Sequence, residues 1–267
     1  MVTITSLHIY PVKSTTGLSL QKSAVGPRGL AHDRRYAIVD PDGQIITARE
    51  EPHLLGLAAS LDEAGVQLFD SKRQTSISLS KGQGAAQRVG VFDRETQGLG
   101  SSEAVDAWLS AYLGRPCHLV FMDDTIHRPV LERHGGQPDD QVSYADQCPI
   151  LLISEASLED LNSRLDSPVT MQHFRPNVVV KGCEAFAEDT WSRVEINGLA
   201  YRVSQRCERC VFTTIDPKTF TPHKRQEPLR TLATYRRLPK GGVGFGVHLV
   251  PQGTGSLAVG NAVGVDC

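Results

Sequence analysis

The segment Val194–Val203 constrains the fold most strongly, because its sequence favours a β-hairpin over every other local structure. Asn197 and Gly198 stand at its centre, and this pair is typical of two-residue type I′ turns, in which both central residues need a positive φ. Apolar and polar side chains alternate on either side of the turn, as in strands that bury one face. Antiparallel β-structure is therefore predicted here.

Other short apolar segments bounded by turn residues repeat this pattern along the chain. They are predicted as strands and comprise Thr3–Tyr10, Tyr36–Val39 followed by Gln44–Thr47 as a hairpin, Val178–Val180, Val211–Ile215, Leu249–Val250 and Leu257–Val259. Short strands separated by glycine turns favour a barrel in the second half of the chain.

Helical spacing occurs in two places. Apolar side chains recur every three or four residues from Val105 to Leu113, and Gly114 ends that pattern. A second helix is predicted from Ser154 to Leu165, with Ser154 as its N-cap. The fold class is therefore predicted as mainly β with a few helices.

A polar segment, Met122–Asp140, separates two parts of the 267-residue chain. We predict an N-terminal β-rich α+β domain over residues 1–120 and a C-terminal β-barrel domain over residues 121–267. A chain of this length can bury a sizeable core without disulfide or metal support.

Composition excludes several classes of protein. Hydrophobic residues make up 40% and charged residues 22%, as in ordinary globular proteins, and the formal net charge is −2. A global basic field for nucleic acid is absent, and no apolar segment has the length of a membrane span. No secretory signal is recognisable, so a cytoplasmic location is expected, with the six cysteines as thiols or ligands rather than disulfides.

Cys207 and Cys210 form a C-x-x-C motif with two arginines close by. A structural zinc site needs four ligands, and no second pair is present. A thioredoxin-like motif would open a helix, whereas the residues after Cys210 favour a strand. Two interpretations remain: a packed cysteine pair without chemistry, or one thiolate that binds a metal whose other ligands come from a cofactor. Copper, iron and molybdenum all accept such a ligand.

Several polar residues could bind an anion. Arg175 and Asn177 are predicted to point to one side of an extended segment, where they could hold an anion or a heterocycle. Lys13 and Ser14 follow the first strand and could hold a phosphate. Arg34 and Arg49 are natural phosphate partners, although each could equally lie on a solvated face.

Two further polar residues are ambiguous. Asp146 could be a pocket acid or a turn residue, and His248 could line a pocket or lie satisfied in the core. The chain has neither a glycine-rich nucleotide loop nor a G-x-S-x-G nucleophile motif, which disfavours a dinucleotide-binding domain and a serine hydrolase.

Taken together, these segments resemble a known family. The motifs occur in the order YPVKS, DR, TAR, SEASL, FRPN, CERCVFTTIDP and EPL, and they are spread over nearly the whole chain. This order resembles MOSC-domain proteins with an N-terminal extension, the family of the amidoxime-reducing component and its bacterial relatives. The resemblance assigns residues 1–120 to the extension and residues 121–267 to the MOSC β-barrel domain.

The resemblance implies a molybdenum-cofactor-dependent reductase of N-hydroxylated compounds. Cys210 would be the catalytic residue and the metal ligand, and Cys207 only its neighbour. The resemblance also implies that the residues binding the molybdopterin are Lys13, Ser14, Arg34, Asp146, Arg175, Asn177, Arg209, Cys210 and His248.

Partners follow from the same resemblance. Some bacterial relatives continue into a ferredoxin-like domain with clustered cysteines, and the mitochondrial relatives carry an N-terminal anchor; neither is recognisable in this sequence. We therefore expect a separate electron-transfer protein, such as a ferredoxin, a cytochrome b5-like protein or a flavoprotein reductase. The other expected partner is a small N-hydroxylated substrate, with no nucleic acid and no membrane.

Two alternatives remain open. In the first, the chain is a MOSC sulfur carrier that transfers a persulfide held on Cys210. In the second, it is a non-catalytic binding module in which the C-x-x-C motif is merely packed.

Overall fold

The computed structural model describes residues 1–62, 65–70, 72–82 and 85–267. Strands dominate, with three α-helices among the described residues, so the predicted mainly β class is confirmed. The first eleven strands are β1 Val2–Ile9, β2 Leu18–Leu20, β3 Lys22–Gly26, β4 Gly29–Leu30, β5 Tyr36–Val39, β6 Leu57–Asp62, β7 Gly65–Asp70, β8 Thr75–Leu79, β9 Ala86–Val91, β10 Arg94–Gly100 and β11 His118–Phe121.

The second half of the chain contains the remaining strands, β12 Ile150–Ser154, β13 Val178–Lys181, β14 Arg193–Ile196, β15 Leu199–Glu208, β16 Gly244–Pro251, β17 Gly255–Ala258 and β18 Ala262–Asp266. The α-helices are α1 Glu103–Leu113, α2 Glu155–Asn162 and α3 Leu229–Tyr235. Within the described residues, no helix is both long and apolar enough to cross a lipid bilayer.

A closed seven-stranded barrel forms the larger unit, in the order β13-β12-β16-β15-β14-β18-β1, with β1 returning to pair with β13. Every pair is antiparallel except β12 and β13, which α2 connects because parallel neighbours need a crossover. The barrel interior is filled by almost fully buried aliphatic side chains, among them Leu7, Ile150, Val180, Val194 and Leu249.

The barrel predicted for the second half is thus present, and one of its strands comes from the N-terminus. Strand β1 pairs with β13 on one side and with β18 on the other. The division of the chain at residues 120 and 121 stays a prediction, because β1 belongs to the first segment in sequence and to the barrel in space.

The rest of the first segment forms smaller sheets beside the barrel. A four-stranded sheet has the order β5-β11-β10-β9, and a three-stranded sheet has the order β6-β7-β8. Helix α1 buries Val105 and Leu109 against them. A further sheet, β17-β3-β4, joins the first segment to the end of the chain.

The predicted hairpin at Asn197-Gly198 is confirmed. Strands β14 and β15 pair in register on either side of it, and the two turn residues have φ values of 51° and 75°. Both values lie in the left-handed region that a type I′ turn requires.

The two predicted α-helices are also present. Ser102 caps α1 and Gly114 ends it at φ 69°, while Ser154 caps α2 as expected. Helix α2 ends at Asn162 rather than Leu165, because the Asn162 side chain hydrogen bonds to both backbone groups of Val169 and turns the chain away.

The hairpin predicted over Tyr36–Thr47 is only half correct. Strand β5 forms, but residues 44–47 make an isolated bridge between Ile45 and Val39 instead of a strand. The chain turns immediately afterwards, because the carbonyl of Thr47 accepts from the N–H groups of Glu50 and Glu51.

Candidate functional site

A cavity of about 1010 Å³ lies against the outer face of strands β12, β15 and β16 and is closed on its other side by N-terminal residues such as Thr47 and Phe92. All of the residues predicted as a site line this cavity, namely Lys13, Ser14, Arg34, Asp146, Arg175, Asn177, Arg209, Cys210 and His248. They come from segments up to about 235 positions apart, between residues 13 and 248 of the chain. The fold thus brings the predicted residues together.

Cys210 presents a free thiol to this cavity and is exposed. It follows β15 and stands directly before a single 3-10 turn over Val211–Thr214. The predicted strand at Val211–Ile215 is therefore wrong. Thr213 and Thr214 donate their hydroxyls to the carbonyls three residues earlier, at 2.9 and 2.8 Å, which favours a turn over their intrinsic β-propensity.

Cys207 differs from Cys210 in its burial and in its contacts. Its side chain is buried with Phe174 and Phe245. Arg209 Nη1 lies 2.9 Å from its sulfur. Burial raises the pKa of Cys207, although Arg209 opposes this shift, so the thiol is protonated at neutral pH.

The two cysteines are thus not an equivalent pair. Both are free, and no group of three or more His, Cys, Asp or Glu side chains in the described ranges could hold a metal ion by itself.

Arg209 connects the motif to the neighbouring loop. Its Nη2 donates to the carbonyl of Phe174 at 2.7 Å, while its backbone N–H donates to Val243. Its charge lies beside Cys207, and the backbone of Cys210 follows directly after it. Arg209 therefore fixes the end of β15 from which the exposed thiol projects.

Tyr10 lies between two guanidinium groups. Arg34 is centred 4.3 Å from its ring and Arg175 4.0 Å, and the Tyr10 hydroxyl donates to the carbonyl of Pro176. Burial raises the pKa of Tyr10 to about 12, so the ring stays neutral. Sequence reasoning quoted Tyr10 in its motif but assigned it no role, although aromatic rings commonly hold cations in this way.

Arg175 does not lie on an extended segment, contrary to the sequence prediction. Its φ is 54°, in the left-handed region, and Ser14 and Arg34 share that conformation at 70° and 48°. Non-glycine residues of this kind cluster at functional sites, where the surrounding structure holds the strained backbone.

The Arg175 guanidinium remains charged although it is buried. It donates to the carbonyl of Thr15 at 2.7 Å. Burial lowers the pKa of Arg175 to about 10, with Arg34 adding to the shift and Tyr10 opposing it, which leaves the group cationic at neutral pH.

Asn177 uses its side chain to join three segments. Its Oδ1 accepts from Leu151 N–H at 3.1 Å and from Arg34 at 3.2 Å, and its Nδ2 donates to the carbonyl of His8. The side chain lines the cavity but is almost fully buried. Its contacts position the neighbouring guanidinium, and its role towards a ligand stays a prediction.

Lys13 and Asp146 form an ion pair at the cavity wall. Lys13 Nζ contacts the Asp146 carboxylate and also donates to the carbonyl of Tyr144 at 2.7 Å. Burial lowers the pKa of Lys13 to about 8, although Asp146 opposes the shift. Burial would raise the pKa of Asp146, but Lys13, Arg49 and Arg34 hold it well below its usual range.

The structure places Arg49 beside the Cys210 thiol. The sequence left open whether Arg49 binds a phosphate or lies on a solvated face. Its Nη1 lies 3.8 Å from Cys210 Sγ and 3.8 Å from an Asp146 carboxylate oxygen. The ring of Phe92 lies 4.6 Å from its guanidinium carbon. The TAR motif was the available signal, but nothing in it shows that a loop of the first segment reaches the C-x-x-C motif.

His248 lies on β16 opposite Gln205 of β15, and both side chains line the cavity. The imidazole is 6% exposed, and its Nδ1 has no hydrogen-bond partner among the described residues. His248 is therefore neither a satisfied core histidine nor a surface residue.

The cavity is strongly cationic although the chain is not. Its lining includes ten Lys and Arg side chains against three carboxylates, in a protein of formal net charge −2. Clustered cations of this kind attract an anionic ligand through the local field.

Comparisons with known proteins cover both parts of the molecule. A model of the MOSC N-terminal beta barrel domain matches residues 1–116, and a model of the MOSC domain matches residues 139–264. The chain is 34% identical to mitochondrial amidoxime-reducing component 1 of Homo sapiens, an alignment that covers 98% of this chain and 82% of the human protein.

Similar relatives occur in other vertebrates. Mitochondrial amidoxime reducing component 2 of Rattus norvegicus is 34% identical, with 98% and 82% of the two chains covered. Among solved structures, the YUAD protein from Bacillus subtilis aligns over 98% of this chain and 94% of its own, with a TM-score of 0.46 and 11% identity. The relatives in Homo sapiens and Rattus norvegicus thus match nearly the whole chain.

Proposed function

Because the chain belongs to the family of MOSC-domain proteins with a MOSC N-terminal domain, which includes the amidoxime-reducing components, we propose that it is a molybdenum-cofactor-dependent reductase of N-hydroxylated compounds. The reaction converts an N–OH group to N–H and water and consumes two electrons and two protons. The observation that carries the proposal is the position of Cys210, whose free thiol is exposed in a cationic cavity.

The residues present fit a molybdopterin. A single exposed cysteine sulfur suits a metal whose other ligands come from an organic cofactor, and Cys207 is buried away from that role. The clustered cations suit the cofactor phosphate. A cavity of about 1010 Å³ has room for a cofactor and a small substrate together.

Each group of residues then has a distinct task. Cys210 would hold the metal, with Arg49 beside its sulfur. Lys13, Ser14 and Arg34 would hold the phosphate, while Arg175 would lie at the pterin.

The remaining predicted residues act mainly by positioning. Asn177 fixes Arg34, Arg209 fixes the backbone next to Cys210, and Asp146 balances Lys13. When bound, a molybdenum cofactor would supply the two-electron redox chemistry of the reduction. The protein supplies binding, orientation and the thiolate.

Electrons would come from a separate electron-transfer protein, of the ferredoxin, cytochrome b5-like or flavoprotein class. The cytoplasmic location expected from the sequence stays a prediction.

Elemental analysis of the freshly purified protein tests the proposal directly. We expect about one molybdenum atom per chain, which Cys210→Ala removes and the matched control Cys207→Ala largely retains. Oxidation of the same sample should release a fluorescent pterin. Equal molybdenum in both variants would show that Cys210 is not the ligand.

The same preparations separate the alternatives. A sulfur carrier would show a labile persulfide on Cys210 in the mass spectrum of the unreduced protein, without tightly bound metal. A non-catalytic module would be indifferent to both substitutions.

A further inference from the structure

Two histidines and two glutamines form one part of the cavity lining: His134, Gln147, Gln205 and His248. We call them the uncharged wall because none of them is a lysine, an arginine, an aspartate or a glutamate. They come from the 3-10 turn Glu132–His134, from the loop before β12, and from strands β15 and β16. The proposed cofactor contacts use none of them, although the family resemblance places His248 among the molybdopterin-binding residues. Their chemistry therefore calls for a separate explanation.

The register of β15 and β16 creates this wall. Strand pairing shifts between Val203 and Gln205, so that Gln205 lies directly opposite His248. Such a bulge adds one residue to a strand and redirects the side chains that follow it. Beyond the bulge, Gln205 faces the cavity on the outer side of the barrel, while Leu249 of β16 remains inside it.

Gln205 links the members of the wall. Its Nε2 lies 3.0 Å from Gln147 Oε1 and 3.2 Å from His134 Nδ1. Burial lowers the pKa of His134, and Arg133 lowers it further, so this imidazole is neutral at neutral pH. These contacts hold three side chains in place around the buried ring of His248.

His248 has binding capacity that the protein does not use. Its Nδ1 is buried without a hydrogen-bond partner in the described part of the chain, in a residue that is 6% exposed. Buried polar atoms are usually satisfied, and among the unsatisfied ones in the described residues only His248 Nδ1 and Arg209 Nε belong to residues that line the cavity. Arg209 already binds through its other nitrogens, so His248 is the cavity residue whose ring is left for a ligand.

The cations nearest in sequence to the wall have partners within the protein, and Arg133 also places its Nε 3.5 Å from His134 Nε2. Arg128 donates to the carbonyls of Ser143 and Ala145, Arg133 pairs with Asp93, and Arg206 pairs with Asp189. A ligand at the wall thus meets uncharged donors and acceptors rather than free positive charge. Such a surface selects a neutral group that both donates and accepts hydrogen bonds.

We propose that the uncharged wall is the substrate subsite and that His248 Nδ1 hydrogen bonds to the N-hydroxylated group of a neutral, amidoxime-like substrate. This inference rests on the proposed function, and it assigns His248 to the substrate rather than to the cofactor. A neutral amidoxime offers an N–OH donor and nitrogen and oxygen acceptors on one edge, which matches the wall. An anionic substrate would have no charge partner there.

Calorimetric titration of the oxidised holoenzyme, without an electron donor, measures substrate binding separately from turnover. The probe is benzamidoxime, with 4-carboxybenzamidoxime as its anionic counterpart. We expect His248→Leu to weaken benzamidoxime binding about tenfold, the effect of one lost hydrogen bond, while the molybdenum content stays unchanged. His248→Asn, which keeps a polar nitrogen, should restore part of the affinity.

His127→Leu is the matched control, because His127 is an exposed histidine outside the cavity and should leave the affinity unaltered. Should His248→Leu fail to fold, His248→Asn and Gln205→Leu test the same wall. Unaltered benzamidoxime affinity in the His248 variants, or stronger binding of the anionic probe to the parent, would overturn the inference. A loss of molybdenum parallel to the loss of affinity would also overturn it, since His248 would then hold the cofactor.

Failure of the proposed function gives a different result. In that case the parent protein would contain no molybdenum, and Cys210→Ala would match it. If the parent contains molybdenum, Cys210→Ala lacks it and the His248 variants bind benzamidoxime normally, the reductase proposal stands and only the subsite is wrong.

Discussion

Two parts of one cavity lining differ in how their polar atoms are used. In the first, the cationic cluster of Lys13, Arg34, Arg49, Arg175 and Arg209, each guanidinium or ammonium group contacts a carbonyl, a carboxylate, a sulfur or an aromatic ring, and only Arg209 Nε is buried without a partner among the described residues. In the uncharged wall, His248 keeps a buried nitrogen without any partner among the described residues.

The difference indicates two kinds of preorganisation. The cationic cluster is held rigid by contacts within the protein, which lowers the entropic cost of fixing a large anionic ligand. The uncharged wall leaves hydrogen-bonding capacity open for a smaller ligand that arrives and leaves in every turnover. Variants of the cluster should therefore change cofactor retention, and variants of the wall should change substrate affinity.

Arg175→Met should have the largest effect, because it removes a buried cation stacked on Tyr10. Loss of a charge-assisted contact should shorten the half-time of molybdenum release during dialysis roughly 10- to 100-fold. Arg164→Met is the control, since Arg164 stacks on Tyr235 in the same manner on the surface. If Arg175→Met retained its metal and lost only substrate affinity, the assignment of the cationic cluster to the cofactor and of the uncharged wall to the substrate would be wrong.

Lys13 provides a pH test of the cationic cluster. Its pKa is lowered to about 8, so the ammonium is charged below that pH and loses its proton above it. The charged Lys13 ammonium attracts a phosphate more strongly than the neutral amine does. Retention of the cofactor should therefore fall as the pH rises through about 8. Retention is measured by dialysis across that range, and in Lys13→Arg, which stays charged, the fall should disappear. A parent profile that stays flat through pH 8 would contradict this role.

Arg49→Met tests the contact between the first segment and the thiol. The substitution removes a cation that lies 3.8 Å from Cys210 Sγ, and metal release should become about fivefold faster. Arg35→Met is closely matched, because Arg35 is similarly buried, stacks on Phe121 and pairs with Asp124 away from the cavity. Equal acceleration in both variants would indicate general destabilisation. Low-temperature spectra of the reduced metal should shift only in Arg49→Met if the sulfur is repositioned.

Gln205→Leu should have the smallest effect and belongs to the wall. It removes the amide that fixes Gln147 and His134 without touching His248 itself. Benzamidoxime affinity should fall about threefold, with molybdenum content unchanged. Metal loss in this variant would remove the distinction between the two parts of the lining.

Much of the architecture could be predicted because its signals are local. The Asn197-Gly198 turn, the Ser154 cap and the glycine after α1 each satisfy a backbone requirement within a few residues. The strand predicted at Val211–Ile215 was wrong because two local signals compete there. β-branching favours a strand, but the hydroxyls of Thr213 and Thr214 donate to nearby carbonyls and favour a turn.

The site could be predicted in its motifs but not in its contacts. Cys210 was distinguished from Cys207 only through the family resemblance, because their difference in burial is a tertiary property. The proximity of Arg49 to the thiol depends on how the first segment meets the barrel. The uncharged wall depends on a bulge at β15, which no pattern in the sequence marks.

The pairing of β1 has a consequence for the order of assembly during synthesis. Strand β1 is synthesised before its barrel partners at Val178–Lys181 and at Ala262–Val263. The barrel therefore cannot close until β18 has been synthesised, and before β13 appears β1 can pair only with the short strand β2. Such long-range pairing slows folding and exposes a growing chain to wrong associations, so the N-terminal strand is where a chaperone would help most.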